Sequence, residues 1–367
     1  MKDEFLYKQL YDSIIERIES GEYPEGCRLP TEAEMEQDFQ VSSITVKKAL
    51  GMLAEKGFVR RVPGRGTFAQ KTSSTAENTE KDPADQNRIG VILEHIATPY
   101  GLSLLYEMDQ AAEATGYKLC VRFSYGDREK EKEEIRFLIS LSVQGLIVMP
   151  SHGRHYSPAI LKLYLDQFPM VLIDKKLTGI PLPSVRTDNY NAVAQLVRYL
   201  AEQGCSRITF ISADDNYATS LRERRSGYLD TMRQLKLAHR DILSFVDDRD
   251  FAHDILSEEI MSVVGTYLEK NGDHLDAVIC SEYGLVPSVA KATQAAGLLP
   301  DKDFRLCSID EDYLSPYGYT FAHMKQDEHT IAKTAVELLL NRISGQKIQQ
   351  EDHLIPAIFH DRSTGRE

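Results

Sequence analysis

The sequence predicts an α/β protein in two unequal parts, a small N-terminal domain of helices and a hairpin followed by a larger domain of two α/β lobes. Three observations carry that reading. The first 70 residues hold three stretches with helical apolar spacing and then a turn-centred pair of extended runs. Residues 71–87, "KTSSTAENTEKDPADQN", offer no aliphatic or aromatic side chain larger than alanine. Beyond residue 88, ten short β-rich runs recur, many separated by stretches of helical periodicity.

Each element of the first part has a local cause. Leu6, Leu10, Ile14 and Ile18 repeat every fourth residue, which predicts a helix over 5–20 with one apolar stripe, and "GEYPEG" ends it. Thr31 opens a second helix, with Glu34 three residues on in the capping-box arrangement that satisfies two free backbone N–H groups. That helix is expected to stop near Gln40. Ser42 caps a third, whose Val46, Ala49, Leu50 and Leu53 form an inward stripe. Ser43 and Lys47 then share the outward face, with Lys48 beside them. "FVRRVPGRGTFAQ" reads as a hairpin around Pro63 and Gly64. Three helices and a hairpin in this order make a winged helix-turn-helix over residues 1–70.

Residues 71–87 cannot bury themselves and are expected to form a flexible linker. In residues 88–367 the runs "RIGVILE", "YKLCVRF", "QGLIVM", "PMVLID", "RITFIS", "ILSFVD", "DAVICS", "FRLCSI", "YTFAHM" and "PAIF" are expected strands. Helices are expected over 101–115, 128–141, 190–203, 221–236, 252–270 and 284–296. Apolar strands alternating with helices imply parallel sheets covered on both faces. Ten strands exceed one small sheet, so two lobes with an intervening cleft are expected, with ligand beyond the C-terminal strand ends.

Charge and composition narrow the function. The chain carries −13 overall, which argues against a surface coated for nucleic acid. The charge is unevenly spread, however. Residues 1–40 hold 4 Lys/Arg against 11 Asp/Glu, whereas 41–71 hold 7 Lys/Arg against Glu55 alone. Cations on both the third helix and the hairpin, Arg60, Arg61 and Arg65 among them, point to DNA. No export signal or membrane span is evident, and five scattered cysteines without a C-x-x-C spacing imply a reducing, cytoplasmic setting. Cys120, Cys280 and Cys307 sit in apolar runs and are expected to be buried thiols. Dinucleotide, Walker, nucleophile-elbow and zincin motifs are all absent, so no catalytic residue, cofactor or metal is expected. His152 and His155 have no third ligand at metal spacing.

The stretch "LPTEAEMEQDFQVSSITVKKALGMLAEKGFVRRVPGRGTF" resembles the winged helix of GntR-family regulators through three motifs in order. That resemblance implies DNA contacts at Ser42, Thr45 and Lys47 and a wing tip of Gly64, Arg65, Gly66 and Thr67, with Thr31, Ser43, Lys48 and Arg61 beside them. Ala33 and Ser43 depart from it, standing where arginines are common, so the operator should differ from that of relatives. Residues 88–367 resemble the LacI/GalR regulators and related periplasmic-binding-protein-like domains. The matching pieces include "GLIVMP", "VLIDKK", "VRTDNYNAVAQLVRYLAEQGCSRITFIS", "RRSGYLDTM" and "LCSIDED". The two together resemble arabinose-type repressors. The resemblance implies effector contacts at Tyr100, His152, Ser220, Arg224 and Asp310, with Glu282 where an amide is usual. A carboxylate at 282 disfavours acidic effectors, so a neutral monosaccharide, a pentose such as arabinose, is expected to control a homodimer on double-stranded operator DNA. A phosphosugar or nucleoside sensor, or a sugar-processing enzyme with an accessory DNA domain, are the alternatives.

Overall fold

The computed structural model describes residues 2–39, 41–55, 57–62, 66–70, 87–96, 98–151, 156–214, 218–237, 239–245, 256–271, 275–300, 302–310, 321–346 and 352–361. The chain divides into two compact units, Met1–Gln86 and Asn87–Glu367. Of the linker expected over 71–87, residues 71–86 lie outside the described residues.

In the first unit, α1 (Lys2–Glu19), α2 (Glu32–Phe39) and α3 (Ser43–Glu55) precede the antiparallel pair β1 (Val59–Val62) and β2 (Gly66–Ala69). Leu10, Ile14 and Ile18 of α1 pack with Met35 of α2 and with Val46, Ala49, Leu50 and Leu53 of α3. These are the expected stripes, except that the Leu6 side chain lies outside the described residues. The segment before α2 also joins the hairpin, since Leu29 N–H donates to Thr67 O at 2.9 Å and Ala69 N–H to Cys27 O at 2.7 Å. This arrangement is a winged helix-turn-helix.

The second unit holds two six-stranded sheets. The first contains β3 (Arg88–Leu93), β4 (Lys118–Phe123), β5 (Gly145–Val148), β6 (Met170–Ile173), β7 (Ser184–Thr187) and β13 (Asp352–Ile355), in the order β13-β7-β6-β5-β3-β4. The second contains β8 (Arg207–Ala213), β9 (His239–Phe245), β10 (Ala277–Cys280), β11 (Arg305–Ile309), β12 (Ala322–Lys325) and β14 (Ile358–His360), in the order β14-β12-β11-β10-β8-β9. Every pairing is parallel except β12 with β14. In each sheet the first strand in sequence lies between the second and the third, which makes the switch point where doubly wound sheets bind ligands.

Helices α4 (Pro99–Glu113), α5 (Arg128–Ser140), α6 (Pro158–Leu165) and α11 (Glu328–Ile343) belong with the first sheet. Helices α7 (Asn189–Glu202), α8 (Thr219–Gln234), α9 (Glu258–Asn271) and α10 (Val286–Ala295) belong with the second. The chain therefore passes between lobes three times, at β7–α7, at β12–α11 and at β13–β14. Hydrogen bonds tie these crossings together, with Asp188 N–H donating to Ile355 O at 2.8 Å and Thr187 Oγ1 to Gln326 Oε1 at 2.6 Å.

Several elements escaped the sequence reading: α6, α11, β7 and β13 had no expected counterpart. The helix expected over 252–270 begins only at Glu258. The described cysteines are all free thiols, and Cys280 and Cys307 are buried as expected. Cys120 is only half-buried, a correction that follows from β4 being an edge strand, covered from one side less than the central ones.

Candidate functional site

The headpiece presents a capped helix with a polar entrance. At α2, Thr31 N–H and Oγ1 donate to Glu34 Oε2 at 2.7 and 2.8 Å, and Glu34 N–H returns a bond to Thr31 Oγ1 at 3.3 Å. Glu34 is thereby held below the ordinary carboxylate range, first by the Thr31 backbone and then by its hydroxyl. At α3, Thr45 N–H donates to Ser42 Oγ at 3.3 Å, and the two hydroxyls lie 2.9 Å apart. Ser42 and Lys47 are exposed and Ser43 is half-buried. Thr45, which the resemblance made a DNA contact, is buried at 7% exposure, and its hydroxyl holds that of Ser42. Gly66 and Thr67 are half-buried in β2. Gly64, Arg65 and the side chains of Lys48 and Arg61 lie outside the described residues.

The second candidate site is the cleft between the two sheets, at their C-terminal strand ends. Its space of about 310 Å³ opens to solvent and is lined by Pro99, Tyr100 and Ser103 from the first lobe and Asp310 and His323 from the second, with Lys325 and Glu328 at a crossing. Asp310 follows β11 in the left-handed region, φ 63°, a conformation that turns its side chain back toward the crossing strands. There its carboxylate accepts Gln326 N–H at 3.0 Å and Gln326 Nε2–H at 2.7 Å. Burial raises the Asp310 carboxyl above its usual range, although these bonds and the nearby Arg224 charge oppose the shift.

Arg224 and Gly227 lie on one face of α8, three residues apart. A Cβ at 227 would press into the Tyr190 carbonyl of α7, so glycine lets the two helices meet closely. Arg224 thus reaches the start of α7, where its Nε donates to Asn189 Oδ1 at 2.7 Å. Its Nη1 donates to Ser281 O, also at 2.7 Å, at the end of β10. Only 5% of Arg224 is exposed. Ser220 is buried on the first turn of α8, and Glu282 is half-buried just after Ser281. His152 lies outside the described residues.

Tyr100 is half-buried at the start of α4, and its hydroxyl donates to Asp174 Oδ1 at 3.3 Å. Enclosure raises the phenol well above its usual pKa, reinforced by Asp174, Asp310 and Glu328 and opposed by Arg224. Tyr100, Arg224 and Asp310 therefore sit within electrostatic reach of one another, although 124 positions separate Tyr100 from Arg224 and 86 more lead to Asp310.

Sequence reasoning missed the rest of this network. Asp174 and Lys175 follow β6, where Lys175 Nζ lies 2.7 Å from Glu94 Oε2 at the end of β3. Thr187, Asn189 and Gln326 link the crossings, and Asn189 Nδ2–H also donates to Thr187 O at 3.1 Å. Position was the available signal for Asp174 and Lys175, because both directly follow the apolar run "VLI". Among the described residues no group of three His, Cys, Asp or Glu side chains could hold a metal ion, and no helix is long and apolar enough to cross a membrane.

Comparison with known proteins follows this division. Residues 6–69 match the bacterial regulatory proteins of the gntR family, and residues 86–302 match the periplasmic binding proteins and sugar binding domain of the LacI family. The chain is 22% identical to an arabinose metabolism transcriptional repressor of Geobacillus stearothermophilus, across 97% of this chain and 96% of that one. A LacI-type regulator of Alkaliphilus metalliredigens QYMF complexed with D-xylulofuranose superposes with a TM-score of 0.61 at 20% identity, covering 75% of this chain and 97% of that one. The Cra regulator of Pseudomonas putida in complex with fructose 1-phosphate superposes with a TM-score of 0.63 at 21% identity, covering 75% and 98%. The chain belongs to the family of periplasmic binding proteins and LacI-type sugar-binding domains, joined to a DNA-binding headpiece of the gntR family of bacterial regulators.

Proposed function

We propose that the protein is a transcriptional repressor of carbohydrate-utilisation genes whose hold on operator DNA is released by a neutral monosaccharide, with a pentose such as arabinose favoured. The observation that carries the effector reading is the meeting of Tyr100 and Asp310 at one cleft between two α/β lobes, with the Arg224 charge near enough to act on both. A carboxylate that accepts paired hydroxyls and an aromatic side chain suit a polyhydroxylated ring. The surroundings favour an uncharged one. Asp310 and Glu328 line the cleft, Asp174 bonds the Tyr100 hydroxyl there, and Arg224 Nε and Nη1 already serve Asn189 and Ser281. The near full-length likeness to an arabinose repressor supports the regulatory half.

As a mechanism, the effector bridges the two lobes and stabilises one arrangement of the three crossings. Operator affinity falls to the extent that the sugar prefers that arrangement. Two headpieces of a homodimer would hold the two half-sites of a near-palindromic operator. Lys325 in the cleft lining favours a second reading, in which a phosphosugar is the effector. Thermal melting of the full-length protein against neutral pentoses, hexoses and their phosphates decides between them. A rise with a neutral sugar supports the proposal, and a rise with phosphates alone replaces it.

A further inference from the structure

We propose that Arg28 is a phosphate contact of the headpiece, gripping the DNA backbone beside the wing. The proposal rests on the DNA-binding reading and adds to it a residue outside the third helix and the hairpin. Arg28 stands in the extended segment before α2 and forms an antiparallel bridge with Phe68 of β2. Strand alternation sends its neighbour Leu29 into the core at 3% exposure and turns Arg28 outward to solvent.

The guanidinium does not hang free of the fold. It lies over Gly66, where an added Cβ would sit 2.8 Å from Arg28 Nε and 3.4 Å from both Cζ and Nη2. Gly66 itself is at φ 117°, so the wing strand both requires a glycine there and leaves the space the arginine fills. The cation is seated on the wing, yet its charge is not consumed. Among the described residues it makes no ion pair, and Glu34, which feels its charge, already accepts two bonds from Thr31.

A held, unspent guanidinium loses little freedom on binding an anion. It also answers a local problem. Glu32 and Glu34 occupy the first turn of α2 and repel any phosphate that approaches the headpiece there. Arg28 stands between those acids and the wing, where it offsets them. Its place on an extended segment paired with the wing strand suits a contact that positions the headpiece without reading sequence.

The test is fluorescence anisotropy of the full-length protein on its own upstream DNA and on an unrelated duplex of equal length, across a salt series. Wild type is compared with Arg28→Gln, Arg28→Ala and Arg28→Lys, each melted first to establish that it folds. Loss of one phosphate contact should lower the slope of log affinity against log salt by about 0.9 per bound protomer. At 0.15 M salt this corresponds to about fivefold weaker binding per protomer, equally on both duplexes, with Arg28→Lys keeping the wild-type slope. An unchanged slope in folded Arg28→Gln or Arg28→Ala overturns the proposal, as does a loss confined to the upstream DNA, which marks a base contact. Failure of wild type to bind either duplex at low salt defeats the DNA-binding reading itself, and this proposal with it.

Discussion

Asp310 carries more of this account than any other single residue. Its carboxylate is buried, holds Gln326 through two bonds, and sits opposite Tyr100 across the cleft. Asp310→Asn should therefore weaken effector binding by about 2 kcal/mol or more, since it removes a charged acceptor of sugar hydroxyls. Titration calorimetry with the sugar that raises the melting temperature checks this, and unaltered affinity would remove Asp310 from the site. Asp352 is the contrasting acid. Burial alone would raise its carboxyl, but hydrogen bonds from Arg186, Lys176 and Ser184 overcome that and hold it far below the usual range. A carboxyl depressed on folding contributes stability above its unfolded pKa of about 3.8, and loses it as pH falls further toward the folded value. Asp352→Asn should thus cost ~2 kcal/mol at pH 7 and flatten the acid limb below about pH 4. Urea titrations at pH 7 and pH 3 measure both effects.

At the scale of elements, close approach decides where side chains can reach. Gly227 lets α8 lie against α7, which brings Arg224 to Asn189. Gly227→Ala should destabilise the protein by ~2 kcal/mol through overpacking against the Tyr190 carbonyl, read as a fall in the urea midpoint. Elements with a local signature were legible in the sequence. The stripes of α1 and α3, the capping box at Thr31 and the apolar runs of β3, β5, β6 and β10 each announce themselves within a few residues. β7 did not, because "SVRT" is polar while all four of its residues are buried. Its Ser184 and Arg186 are satisfied by Asp352, which lies more than 160 positions away. No local pattern can report such a partner. α11 was overlooked although Ile331, Ala335 and Leu339 repeat at helical spacing; what no local pattern shows is that it covers the first sheet after the chain has returned from the second. The cleft divides similarly. Tyr100 and Asp310, which line it, were named through family resemblance, whereas Asp174, Lys175 and Gln326 emerge from strand ends and crossings that only the fold brings together.

For the whole molecule, the acidic average and the basic stretch over residues 41–71 describe two tasks. A chain of net charge −13 still concentrates seven cations against a single acid in residues 41–71. The remainder builds two matched sheets joined by three crossings whose hydrogen bonds run through Thr187, Gln326 and Asp310. Any ligand that engages Asp310 therefore acts on residues that link the lobes, which is where a binding event can bias their arrangement. How strongly that bias reaches the DNA is a coupling free energy, and it can be measured directly. The decisive experiment is anisotropy of the full-length protein on its upstream DNA with and without neutral pentoses and hexoses. Tight, steeply salt-dependent binding that one neutral sugar weakens tenfold or more is the result this account predicts. Tight binding that no neutral sugar changes, while a phosphosugar or nucleoside releases the DNA, would contradict it.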